Sequence, residues 1–239
     1  MSMDPARASR ELVDTLRPAA APIAIRFLAE APEGVPVFAE DAAEGPPVAA
    51  GCVFWMHAGQ RTFATKPADH ANCSVGSYTH GLVSLGEAAG QGDVAALVDA
   101  GWVAESDLAQ VPAMAETPGA IVYGPLAEAP DVPDVVFLRL NAKGAMVLKD
   151  AWPHARTEGK PQCHIIPIAA RHGEVAISLG CMVSRVRTGM GNEEMTAAIP
   201  GHRLGEVVDA LTRARAADEA VAAYAAQDMK AAGTAPGNA

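Results

Sequence analysis

Residues 120–140 read AIVYGPLAEAPDVPDVVFLRL, and this stretch decides the fold. Two runs rich in β-branched and aromatic residues, Ala120–Tyr123 and Val135–Leu140, flank the turn-forming PLAEAPDVPD (125–134). Prolines and aspartates favour turns because proline presets φ and aspartate bonds its own backbone. The second run is almost continuously apolar, as a strand covered on both faces must be, so it belongs in the middle of a sheet.

Working outward, PIAIRFL (22–28) reads as a further buried strand and Arg61 to Thr65 as a short one. Val175–Leu179 and Met195–Ile199 supply two more strands toward the C-terminus. Helices are expected over 5–17, closed by Pro18, and over 48–59, which carries Cys52 and stops at Gly59. Others are expected over 93–101, 105–114 and 142–152, and one begins near Cys163. From His202 onward Leu204, Val207, Val208 and Leu211 recur at i, i+3, i+4 and i+7, the stripe of an amphipathic helix. The acidic, proline-rich segment 29–47 is expected to be a surface loop, and 77–93 a loop or broken helix. Strands and helices interleave without a βαβ rhythm, which points to α+β: one domain over 1–231, a mixed sheet with flanking helices, and a flexible tail at 232–239.

Half of the 239 residues are hydrophobic and 19% are charged, a balance that folds into a globule. The net charge of −10 argues against nucleic acid or an anionic membrane as partner, since both call for a cationic surface. Short basic runs such as Arg185-Val186-Arg187 could still hold a small anion. No run approaches the roughly 20 apolar residues that span a bilayer. The N-terminus has no apolar signal core, so a cytoplasmic location is expected. A redox partner protein or a small molecule is the expected partner, and a homodimer is compatible with the apolar composition.

Four cysteines remain, and their surroundings hint at a repeat. Cys52 precedes an apolar run, a glycine and a short strand, and after 20 intervening residues comes Cys73. Cys163 is followed in the same way by Gly173, the strand EVAISLG and, after 17 intervening residues, Cys181. Two pseudo-equivalent halves, about 18–115 and 116–215, would then each present one cysteine from a helix and one from a turn. Four thiolates brought together suit a [4Fe–4S] or [2Fe–2S] cluster, or structural zinc. Arg185 and Arg187, just after Cys181, are placed to offset their negative charge. Against this, free cysteine commonly acts as a small buried hydrophobe, and no C-x-x-C is present.

The segments GPL (124–126), PDVV (133–136), Cys163, GCMVSR (180–185) and NEEM…AIPG (192–201) resemble the family called domain of unknown function 169. Cys52 and Cys73 sit where that family's cysteines fall, and the resemblance covers about residues 10 to 215. It implies that all four cysteine positions belong to the family pattern, and it brings no settled activity. Many members carry a further cysteine three residues after the position of Cys181, where this chain has Ser184. With the resemblance, the leading expectation is a [4Fe–4S] cluster on Cys52, Cys73, Cys163 and Cys181, with Arg185 beside it. Electron transfer, redox sensing or cluster-based catalysis would follow. A zinc-stapled or metal-free ligand-binding module and a thiol enzyme are the alternatives, and whether the chain is an enzyme stays open.

Other residues carry less. His57, His80 and His164 lie near cysteines in sequence and would suit a mixed Cys/His site, though buried structural histidines are commoner. Arg61, Lys66 and Tyr78 flank the first cysteine pair. Met56, Met182, Met190 and Met195 read as gap-filling core residues. G-x-S-x-G, Walker A, H-E-x-x-H and G-x-G-x-x-G are all absent.

Overall fold

A computed structural model describes residues 3–38 and 50–231. The expected tail 232–239 and most of the second half of the 29–47 loop lie outside the described residues.

The two strands of the opening stretch form as read: β3 spans Ala120–Pro125 and β4 spans Val135–Leu140. With β1 (Ile23–Leu28), β2 (Phe63–Thr65), β5 (Arg156–Glu158), β6 (Ala176–Ser178) and β7 (Met195–Pro200) they make one seven-stranded sheet. Its order is β2-β3-β1-β4-β7-β6-β5, so β4 is central, as its apolar run requires. All pairings are antiparallel except β5 with β6. The sheet is mixed and the domain is α+β.

Alternation along β4 assigns side chains to two cores, because successive residues of a strand face opposite ways. Val136, Leu138 and Leu140 pack with Leu12 and Leu16 of α1 (Pro5–Leu16), Leu148 of α7 (Ala142–Ala151) and Val207 and Leu211 of α10 (Leu204–Ala231). Val135 and Phe137 pack on the other face, with Phe54 and Trp55 of α2 (Gly51–Ala58) and Ile165, Ile166 and Ile168 of α8 (Ile165–His172). The Trp55 and Phe137 rings pack at a tilt with centroids 4.3 Å apart.

The strand order reads the same from the centre outward. Between β1 and β4 the sheet divides into β1-β3-β2 on one side and β4-β7-β6 on the other. Both β3 and β7 end in a proline with ψ near 132° that leads into a 3-10 turn. The two three-strand sets thus correspond in succession, with β5 unmatched among the described residues. The topology gives β3 to the first half, so the division falls between Glu128 and Val135 rather than near residue 116.

Two short helices occupy places where the sequence suggested turns or loops. Ser74–Thr79 (α3) follows Cys73, and Met182–Thr188 (α9) follows Cys181. In α9 the valines hide the helical signal, while the bounding glycines set its ends: Gly189, at φ 65°, closes it in the left-handed conformation that glycine adopts without strain. The region 80–119 holds α4 (Leu85–Ala89), α5 (Gly92–Asp99) and α6 (Glu105–Leu108). Among the described residues no helix is long and apolar enough to cross a membrane.

Candidate functional site

Each cysteine stands at the start of a helix. Cys52 is the second residue of α2, and Cys73 and Cys181 are the N-caps of α3 and α9. Cys163 lies in the 3-10 turn that leads into α8. The equivalence of the halves pairs Cys52 with Cys163 and Cys73 with Cys181. All four are free thiols, and all four line one cavity of about 240 Å³ on the α2/α8 face of the sheet. Among the described residues, no three His, Cys, Asp or Glu side chains are grouped to hold a single metal ion.

The contacts to sulfur cross from one half to the other. The Ser184 hydroxyl of α9 lowers the pKa of the Cys52 thiol, and the Thr79 hydroxyl of α3 that of the Cys163 thiol. The Ser184 hydroxyl also accepts from Gln162 Nε2 at 2.6 Å. Packing of α2 on α9, and of α3 on the turn at Cys163, brings these partners together. Cys73 Sγ accepts the Gly76 N–H at 3.4 Å.

Desolvation dominates the electrostatics. Burial pushes the Cys52 thiol up from its ordinary value; the Ser184 hydrogen bond and the Arg187 charge oppose this, while Cys73 and Cys181 add to it. Cys163 is pushed well up by burial and then by Cys73, with Thr79 pulling the other way. Arg187 lines the cavity. Arg185 does not: its guanidinium donates to the carbonyls of Leu179 (3.0 Å), Glu194 (2.8 Å) and Gly191, lashing together the loops at both ends of α9. It lies against Gly180, whose φ of 111° and closeness to that guanidinium both require the missing side chain.

Behind the cysteines sits a polar core. His80 is fully buried; its Nδ1–H donates to the Gly76 carbonyl at 2.8 Å, and Nε2 has no hydrogen-bond partner among the described residues. Burial lowers its pKa to about 4. Its ring lies against Gly51, where a Cβ would stand 3.0 Å from the ring. His70 is lowered well below the usual histidine range, by burial and by His80, and it bonds Thr65 Oγ1 at 2.9 Å. The Tyr123 hydroxyl, raised by burial and by Cys52, completes this region.

The remaining candidates lie elsewhere. His57 packs on Phe38, and His164 faces Glu158 at 3.7 Å. Tyr78 donates to the Val111 carbonyl at 3.2 Å, Lys66 N–H to Asp69, and Arg61 lies over the rings of Phe38 and Phe63. None of these five lines the cavity. Sequence reasoning missed Thr79, Gln162 and Trp102. For Thr79 a signal existed: it lies six residues beyond Cys73, as Arg187 lies six beyond Cys181.

No curated protein and no solved structure matches the chain. The family model described as DUF169, uncharacterised ArCR, matches residues 11–210. With most of its length inside that match, the chain belongs to the domain of unknown function 169 family.

Proposed function

We propose that Cys52, Cys73, Cys163 and Cys181 hold an iron–sulfur cluster, of the [4Fe–4S] type, and that the protein acts in electron transfer, redox sensing or catalysis at that cluster. One observation carries the reading: four cysteines from four separate segments and two equivalent halves line a single cavity. Incidental core thiols have no reason to be matched in this way across a pseudo-dyad.

The donor set fits the group. Four thiolates are the usual ligands of such a cluster. A lone zinc, about 2.3 Å from each sulfur, would need the four drawn tightly together. The thiols instead line the wall of a cavity, which suits a group larger than a single ion. Cysteine must be deprotonated to bind iron, and Arg187 supplies positive charge near Cys52. Ser184, Thr79 and the Gly76 N–H supply hydrogen bonds toward sulfur, a recognised control on cluster potential. Coordination by all four thiols leaves no open iron, which favours electron transfer or sensing, with a redox partner protein.

Anaerobic purification followed by a visible absorption spectrum and iron, sulfide and zinc analysis tests this. A brown protein with iron and sulfide in similar amounts is expected, and each Cys→Ser change at the four positions should bleach it. Colourless protein holding zinc would replace the cluster by a structural metal. Colourless, metal-free protein would return the cysteines to core or nucleophilic roles.

A further inference from the structure

The correspondence between the halves departs on both sides: the second has α7 and β5 between β4 and α8, and the first has helices of its own. Between α3 and β3 the first half inserts α4, α5 and α6, whereas the second half has only residues 189–194 between α9 and β7. The sulfur-bearing elements need no such insertion, yet it builds a wall of the cysteine cavity. Ala96, Leu97 and Trp102 come from it, and Val75 and Val183 face the same space from α3 and α9. The Lys160 ammonium sits 4.3 Å from the Trp102 ring centroid and donates to the Trp102 carbonyl, which holds this wall to the second half.

Two charged side chains line the compartment, and they differ in how they are engaged. The Asp93 carboxylate is committed to Ser74, accepting its N–H at 3.0 Å and its hydroxyl at 2.6 Å, and to the Val94 N–H at 3.0 Å. The Arg187 guanidinium, exposed at the mouth of the compartment, has no hydrogen-bond or ion-pair partner among the described residues, and its charge acts on Cys52. An apolar pocket with one polar group placed to orient a ligand is the usual form of a small-molecule site.

We propose that this compartment binds a small organic monoanion, its carboxylate on Arg187 and its apolar body against Leu97, Trp102 and Val183. A single guanidinium matches a single negative charge, in the paired geometry that arginine and carboxylate share. A dianion would meet Asp93 and the cysteine sulfurs, and a neutral molecule would gain nothing from the guanidinium charge. The inference rests on the cysteine-site reading only for what the ligand is held beside.

Calorimetric titration of the full-length protein with benzoate, phenylacetate and 3-methylbutanoate tests it, with benzyl alcohol as the neutral comparison. At least one carboxylate should bind saturably, one per chain, and about tenfold or more tighter than the alcohol. Arg187→Gln should weaken that carboxylate by about tenfold or more, the worth of a charge-assisted hydrogen bond. Ala96→Trp, at an exposed position that lines the space, should abolish binding without unfolding the protein, as circular dichroism would report. Binding of no carboxylate, equal binding of the alcohol, or an unchanged affinity in Arg187→Gln would overturn the proposal. Iron analysis of the same wild-type preparation keeps the two readings apart. Colourless protein that binds carboxylate loses the cluster and keeps the compartment; brown protein that binds none does the reverse.

Discussion

Ser184 stands where the family resemblance led us to expect a fifth cysteine, and its hydroxyl serves two neighbours. It accepts from Gln162 Nε2 and favours the ionised form of the Cys52 thiol. Ser184→Ala leaves both without this partner, so we expect a loss of about 1–3 kcal/mol in urea unfolding. The same change removes an influence that lowers the Cys52 pKa, so alkylation of Cys52 in metal-free protein should slow further at fixed pH. His80 gives a prediction of opposite sense. Its folded pKa of about 4 lies below the ordinary 6.5, so the folded state resists protonation that the unfolded chain accepts. Stability should be complete above pH 6.5 and lost as pH falls through 4, by up to about 3 kcal/mol from this group. Denaturant midpoints measured across that window check it, and His80→Gln should flatten the slope. These residues could not be weighed from sequence, because the fate of a histidine or serine depends on what packs around it.

At the scale of elements, what could be read depended on how a segment is stabilised. The strands β1, β3 and β4 and the helices α1, α7 and α10 declare themselves, because a buried face imposes period and composition on the chain. The central place of β4 followed from its unbroken apolar run. Short pieces did not: α3 and α9 have six and seven residues. Isolated helices of that length are unstable, so tertiary contacts must supply what the local sequence lacks. The cysteines were found, and a helix start was expected near Cys163, but the helix-capping places of Cys73 and Cys181 were not, nor was the crossing of Ser184 and Thr79 toward thiols of the opposite half. Gly180 is the hinge on which α9 is set. We expect Gly180→Ala to cost about 1–3 kcal/mol by urea unfolding, since a side chain is strained at positive φ and meets the Arg185 guanidinium. If the proposed cluster is present and α9 is displaced with Gly180→Ala, its visible absorbance per chain should fall as well.

For the whole molecule, the raised thiols couple the site to pH. In metal-free protein Cys52 and Cys163 stay protonated when folded above the pH at which an unfolded thiol ionises. Their contribution is therefore full below about pH 8.5, the ordinary thiol value, and is lost as pH rises toward the folded values. Thermal denaturation of metal-free protein should show this alkaline decline, and protein carrying the proposed cluster, if its thiols ligate as thiolates, should not. The sheet itself adds a mechanical consequence. The halves meet along β1 and β4 through three residue pairs, Ile23↔Phe137, Ala24↔Val136 and Ile25↔Val135, against six pairs within each of β1–β3 and β4–β7. A three-pair seam is a short zip. The cavity lies on one face of it, so any group that grips all four sulfurs acts as a rivet through that zip. Stretching the chain between anchors placed in the two halves should then part the empty protein at the seam, and the filled protein only when a sulfur lets go.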